Sequence, residues 1–260
     1  MSSHTTIKSH KPQMVSEASH FLLLLSDSAL PLGSFAFSSG LESYIANIRP
    51  QRMDLTGVQR FVILSLASTS SAAIPYVLAA WQEPQRLERL DNDLDASTLC
   101  QVARRASVAQ GRALLGVWER SLANNMDRNP ETEEAAQALE SFSLTGRQAR
   151  SQEGTTQRNH GHLPVMWGAV CRAAAVPLRT AAYVFLFKHT QSVLSAAVRS
   201  SVIGPYQAQA FLASGWLQEI LIGALDEEWE TRIEEAGQSV PLMDIWMGLH
   251  DKLYSRVFNS

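Results

Sequence analysis

Apolar positions recur along the chain at three- and four-residue spacing, and period-two alternation is scarce, so helices are predicted throughout. In the stretch 99–117, Leu99, Val102, Ala103, Ala106, Ala113, Leu114 and Val117 fall on one stripe. Leu178 to Ser201 is almost continuously apolar, which predicts a central, buried helix. Pro75, Pro84, Pro164, Pro177, Pro205 and Pro241 are expected to begin or punctuate helices. Gly33, Gly40, Gly161 and Gly204 are expected at turns. The pattern amounts to roughly eight to ten helices without a solenoid repeat. The expected fold class is all-α: one compact multi-helix domain around a central buried helix.

Two stretches depart from that pattern. Residues 1–16 are polar with little to bury and are expected to form a disordered tail, leaving 17–260 as the helical domain. From about 124 to 160 the chain carries loop chemistry: Asn124-Asn125, Asn129-Pro130 and Gly154 through Gly161. A short helix is predicted inside it over Glu131 to Phe142, with Asn129 as N-cap and Pro130 at the first helical position. The segment reads as a surface insertion.

Four segments carry more order than burial requires. In Leu22 to Ile45 a short apolar helix stops at Ser26-Asp27-Ser28, and a turn through Pro31 and Gly33 follows. The next helix is predicted to open with a capping box, Ser39 at N-cap and Glu42 reaching back. Phe35 and Phe37 are expected exposed in that turn, where aromatics suggest another element or another chain. Gly111, in a helix interior, costs about 1 kcal/mol against Ala, which a close helix approach would justify. Lys188, Ser192, Ser195 and Arg199 share one face of an otherwise apolar helix, a polar seam or a functional one. The segment from Pro241 to Phe258 is crowded with apolar and aromatic residues and must dock on its own core or on a partner. Tyr254, Arg256 and Phe258 are residue types that anchor interfaces.

Composition narrows the function classes. The 260 residues suffice for one large core or two small ones. With 45% hydrophobic and 18% charged residues and a net charge of -3, there is no global electrostatic case for nucleic acid or an anionic membrane. The basic clusters at Arg104-Arg105 and between Arg147 and Arg158 read as solvated faces. Cys100 and Cys171 stand far apart without a CxxC, so a reducing compartment and a core role fit them. The apolar runs Phe21–Leu25 and Ala181–Phe187 are too short for a signal sequence or a membrane span, and a soluble cytoplasmic protein is expected.

The chain has no Gly-Lys pair and so no P-loop, and it lacks GxSxG, HExxH and GxGxxG. Of the histidines only His160 and His162 are close in sequence, which leaves a metal site incomplete within one chain, with a weak site shared with a second subunit as the alternative. No catalytic residue, no metal ligand and no firmly bound cofactor are expected.

Taken in order, these segments resemble the UreF family of urease accessory proteins. The family phrase D-S-A-x-P-x-G-x-F-x-x-S-x-G-L-E stands here as Asp27 to Glu42. Its Q-G-R helix is matched by Gln110 to Leu115, and its H-x-P-V-x-x-G by His162 to Gly168. Ser192-Val-Leu-Ser195-Ala-Ala-Val-Arg199, then Gly204 and Gln207, are similar to the end of its long helix. Pro241, Asp244-Ile245, His250-Asp251 and Leu253 to Phe258 are similar to its tail. Bacterial members often carry His-Ser-Tyr where this chain has Phe37-Ser38-Ser39, so a metal role for that histidine does not transfer. The phrase from Gly33 to Tyr44 looks like plant and fungal members.

The resemblance implies an all-helical, non-enzymatic scaffold, often dimeric. It implies binding to the accessory protein UreD (also called UreH), to the GTPase UreG and to apo-urease, with nickel handled by the complex and GTP by the partner. The residues expected to bind partners are Phe35, Phe37, Tyr44, Arg199, Gln207, Tyr254, Arg256 and Phe258. Those expected to shape the fold are Pro31, Gly33, Gly40, Glu42, Gly111, Ser192 and Ser195. The rival readings are a helical adaptor unrelated to metal delivery and an enzyme with a dispersed active site.

Overall fold

The described residues form eleven α-helices and no strand. The structure, a computed structural model, describes residues 16–27, 29–48, 53–126, 129–151 and 159–259. The expected N-terminal tail therefore lies outside the described residues, save Ser16. The helices are α1 (Glu17–Ser26), α2 (Leu41–Asn47), α3 (Leu55–Gln82), α4 (Leu87–Ser97), α5 (Gln101–Val117) and α6 (Pro130–Ser151). They continue with α7 (Leu163–Ala173), α8 (Leu178–Arg199), α9 (Pro205–Leu212), α10 (Gly215–Glu227) and α11 (Pro241–Leu249).

The centre is the pair α3 and α7, which make the most extensive contact in the molecule. Val165, Met166, Ala169, Val170 and Cys171 of α7 are fully buried. Gly168 lets α7 lie directly on α3, because a Cβ there would stand 2.3 Å from the Val77 carbonyl oxygen. Gly111 does the same for α5, where a Cβ would stand 2.1 Å from the Gly161 carbonyl oxygen. The close approach expected at Gly111 is thus made to the turn that opens α7.

Helix α3 is long and apolar enough to cross a membrane by length and composition alone, but 67% of its most apolar window is buried. It is a core helix here. Asp54 caps it, accepting the Gly57 N–H at 2.8 Å. Pro75 sits inside α3, where a break or a start was expected. A proline has no N–H for the carbonyl four residues back, which is that of Ser71. That carbonyl accepts instead from the Gly237 N–H at 3.2 Å, and Ser239 Oγ donates to the Ala67 carbonyl at 3.0 Å. The 237–239 segment thereby supplies the donor that the proline removes.

Two expectations are corrected. Helix α8 is not the centre: Phe185, Leu186, Val193 and Leu194 face the core, while Ser195 and Arg199 are exposed on the opposite side. Small residues made its sequence look uniformly apolar. The segment at 124–160 is not a loose insertion over its middle. Asn129 does cap a helix, accepting from Glu131 and Thr132 N–H at 3.0 Å each. That helix, α6, runs on to Ser151, with Ala135, Leu139 and Phe142 buried against the core.

Candidate functional site

The turn between α1 and α2 and the chain after α11 form one unit. Gly33, at φ +69°, begins a single 3-10 turn over Ser34–Ala36. Ser39 and Gly40 are both left-handed, at φ 52° and 83°. Gly40, not the expected Ser39, holds the N-cap position of α2, with no side-chain cap bond, and the capping box does not form. Glu42 turns the other way. Its carboxylate accepts from His250 Nε2 at 3.0 Å, from the Val257 N–H at 2.7 Å and from the Phe258 N–H at 3.2 Å. Beyond it, the Asn259 N–H donates to the Ala36 carbonyl at 2.7 Å. One carboxylate on α2 thus straps down the final residues. His250 Nδ1 is buried without a partner, so the tautomer that donates from Nε2 to Glu42 is the one with no stranded donor.

The expected partner residues divide on this framework. Phe35 is 67% exposed and Tyr254 is fully exposed. Arg256 is exposed and reaches Asp251 at 3.4 Å, which also takes Arg105 at 2.9 Å. Phe258 is 3% exposed, with the Arg199 guanidinium stacked on its ring at 4.3 Å, so it anchors its own chain. Phe37 is half-buried, lining a small cavity with Trp167 and Phe185, and not exposed as expected. Tyr44 packs on Trp246 and Phe61, with centroids 4.6 and 5.3 Å away, because Met247 of α11 closes over Gly40 beside it. Gln207 is exposed but caps α9, its Oε1 accepting the Gly204 N–H at 2.8 Å. Pro31 is exposed on the turn itself.

The seam on α8 lines a groove of about 320 Å³ with the α1–α2 turn and α9. Lys188, Ser192, Ser195 and Arg199 all reach it. Lys188 Nζ donates to the Asp27 carbonyl at 3.1 Å, and burial holds its ammonium below the usual lysine range.

A second cavity, of about 220 Å³, lies among α3, α5, α8 and α11 and has a hydroxyl-rich wall. His189 projects into it, with Nε2 2.7 Å from Ser65 Oγ and 3.2 Å from Thr69 Oγ1. Desolvation pushes the imidazole down to about 4, so it stays neutral. A serine beside a histidine invites comparison with a nucleophile and its base. No carboxylate is hydrogen-bonded to His189 to orient it among the described residues, and so low a pKa makes a weak base.

His160 and His162 meet two carboxylates of α4, the connection that sequence spacing could not supply. Asp91 accepts the backbone N–H groups of His160, Gly161 and His162 at 2.6 to 3.0 Å. Asp95 lies 3.1 Å from His162 Nε2 and 3.3 Å from His160 Nδ1, and takes both forks of Arg104 at 2.5 Å. Burial would raise the Asp95 carboxyl, but the bonds from Arg104 and His162 outweigh it and hold the group low. No group of three His, Cys, Asp or Glu that could hold a metal occurs among the described residues. The cluster fastens the start of α7; its traces in sequence were the pair His160 and His162 and the spacing of Asp91 and Asp95, one helical turn apart.

Comparison with known proteins points to one family. The family model described as UreF matches residues 54–214. An uncharacterized urease accessory protein UreF-like of Schizosaccharomyces pombe is 35% identical over 241 residues, covering 93% of this chain and 97% of that protein. Urease accessory protein F of Arabidopsis thaliana is 32% identical over 240 residues, 91% and 90% of the two chains. Urease accessory protein UreF of Kocuria rhizophila is 28% identical over 245 residues, 92% and 95%.

Proposed function

Because the chain belongs to the UreF family of urease accessory proteins, we propose that it is a non-catalytic scaffold in urease maturation, acting with UreD and UreG in the cytoplasm to deliver nickel to apo-urease. In this reading nickel is cargo of the assembly, GTP is hydrolysed by UreG, and the scaffold works as a homodimer within the complex.

One observation carries the reading. The α1–α2 turn and the C-terminal strap are locked together by Glu42, yet they leave Phe35, Tyr254 and Val257 bare on the surface. Holding apolar groups rigidly in water gains a free chain nothing, whereas a preorganised apolar patch lowers the ordering cost of binding. The strap gives UreD a surface of that kind.

The test is reconstitution in a urease-positive host that lacks its own copy of this gene. The chain is expressed with tagged UreD and UreG, and both co-purification and urease activity are measured. Complex formation with restored activity is the expected result. A complex that forms while urease stays inactive would favour the plain adaptor. Restored activity without any complex would remove the scaffold role.

A further inference from the structure

The groove between α8, α9 and the α1–α2 turn holds positive charge that the groove itself does not balance. Lys188 and Arg199 are its charged lining residues, and the polar remainder, such as Ser34, Gln191, Ser192 and Gln209, is neutral. Among the described residues neither cation is in an ion pair within 4.0 Å. The carboxylate nearest in sequence to the Lys188 contact, that of Asp27, accepts the Ala29 N–H at 2.8 Å, and only the Asp27 carbonyl meets Lys188. Lys188 is half-buried, and Arg199 is exposed further along the same helix face. Burial of the Lys188 ammonium outweighs the help of the nearby Asp27 charge, and an arriving carboxylate at ion-pair distance offsets that cost.

We propose that this groove receives an extended acidic segment of a partner protein, with carboxylates set against Lys188 and Arg199. The inference rests on the scaffold reading and adds the chemistry of one partner element. The spacing selects the shape of that element. Eleven residues of helix set the Cα atoms of Lys188 and Arg199 about 16 Å apart, so two acidic groups on one extended element match them better than a single small anion. An extended chain advances about 3.3 Å per residue and alternates its faces, so acidic side chains four or six residues apart share one face and span roughly 13 to 20 Å. Within the groove the lining charge is wholly positive, which favours an acidic occupant over a neutral one.

The test uses the full chain and fluorescein-labelled hexaglutamate, followed by anisotropy at two salt concentrations, with hexaglutamine as the neutral control and inorganic phosphate as competitor. Hexaglutamate is expected to bind, more weakly as salt rises, and hexaglutamine is not. Lys188→Met and Arg199→Gln are each expected to weaken binding roughly fivefold. Lys188→Met should also leave the melting temperature unchanged or higher, since it removes a desolvated charge; a structural lysine would give a fall. Arg199→Gln keeps a planar group against Phe258. Absence of hexaglutamate binding, binding indifferent to both substitutions, equal binding of hexaglutamine, or displacement by phosphate at equal concentration would each overturn the proposal. If any of these occurs while urease activation is intact, the groove assignment falls and the scaffold reading stands.

Discussion

Replacing Glu42 by Gln keeps the shape of the side chain and removes one acceptor and the charge. Oε1 takes the Val257 N–H, while Oε2 takes both the Phe258 N–H and His250 Nε2. A carboxamide has one oxygen, so at least one backbone N–H must then face an NH2 group. His250 cannot compensate by switching tautomer, because the proton would move to Nδ1, which is buried without a partner. A hydrogen bond to a charged acceptor contributes about 1.5–3 kcal/mol. Losing one outright should therefore open the strap roughly 10- to 100-fold more often. The effect is local, since Phe258 and the strap can lift while α3 and α7 stay packed. Hydrogen exchange at the amides of Val257, Phe258 and Asn259 measures it directly. Exchange at the unmodified rate in Glu42→Gln would refute the strap. So would a global melting loss as large as the local one, which would make Glu42 part of the core.

Gly111→Ala puts a methyl carbon 2.1 Å from a backbone oxygen and should cost at least about 2 kcal/mol. Gly33→Ala meets open space and only the left-handed strain of φ +69°, about 1 kcal/mol. Thermal melts that reverse this order would disprove the close approach. Tyr254→Ala should leave the melting temperature in place and weaken UreD binding, and unchanged co-purification would remove the tail from the interface. The acid side of stability follows from His189, whose folded value near 4 lies below the ordinary 6.5. The unfolded chain binds that proton first, so stability falls as pH drops from about 6.5 towards 4. His162, also held low by burial, acts in the same direction. His189→Gln should reduce the fall in urea midpoint across that window, and an unchanged fall would place the effect elsewhere.

Helical periodicity made the fold class legible, and the ordered motifs made the family legible. The role of Gly111 was readable because a glycine in a helix interior asks for a neighbour's backbone. Glu42 was misread for a physical reason. A Ser-x-x-Glu spacing looks the same whether the glutamate serves its own helix or amide groups 215 residues away, and only the left-handed Ser39 decides. Phe258 and Tyr254 looked alike as interface anchors, yet one is buried and the other bare. Side-chain type does not say which way a terminal segment turns. Asp91 and Asp95 escaped notice because their partners lie about 70 positions on. The interior of α8 was overrated because alanine and serine carry little information about burial.

The packing of α7 on α3 also has a cost in time. The Val77 carbonyl meets Gly168, so the long apolar helix α3 awaits a partner 91 residues downstream. At ribosomal speeds of about 5–20 residues per second, that interval is roughly 5 to 20 s. During it a nascent α3 offers solvent, and any bilayer or sticky neighbour, a segment with the length and hydropathy of a membrane span. Yield in a foreign host should therefore depend on how quickly α7 emerges and on holdase capacity, more than on the stability of the finished protein.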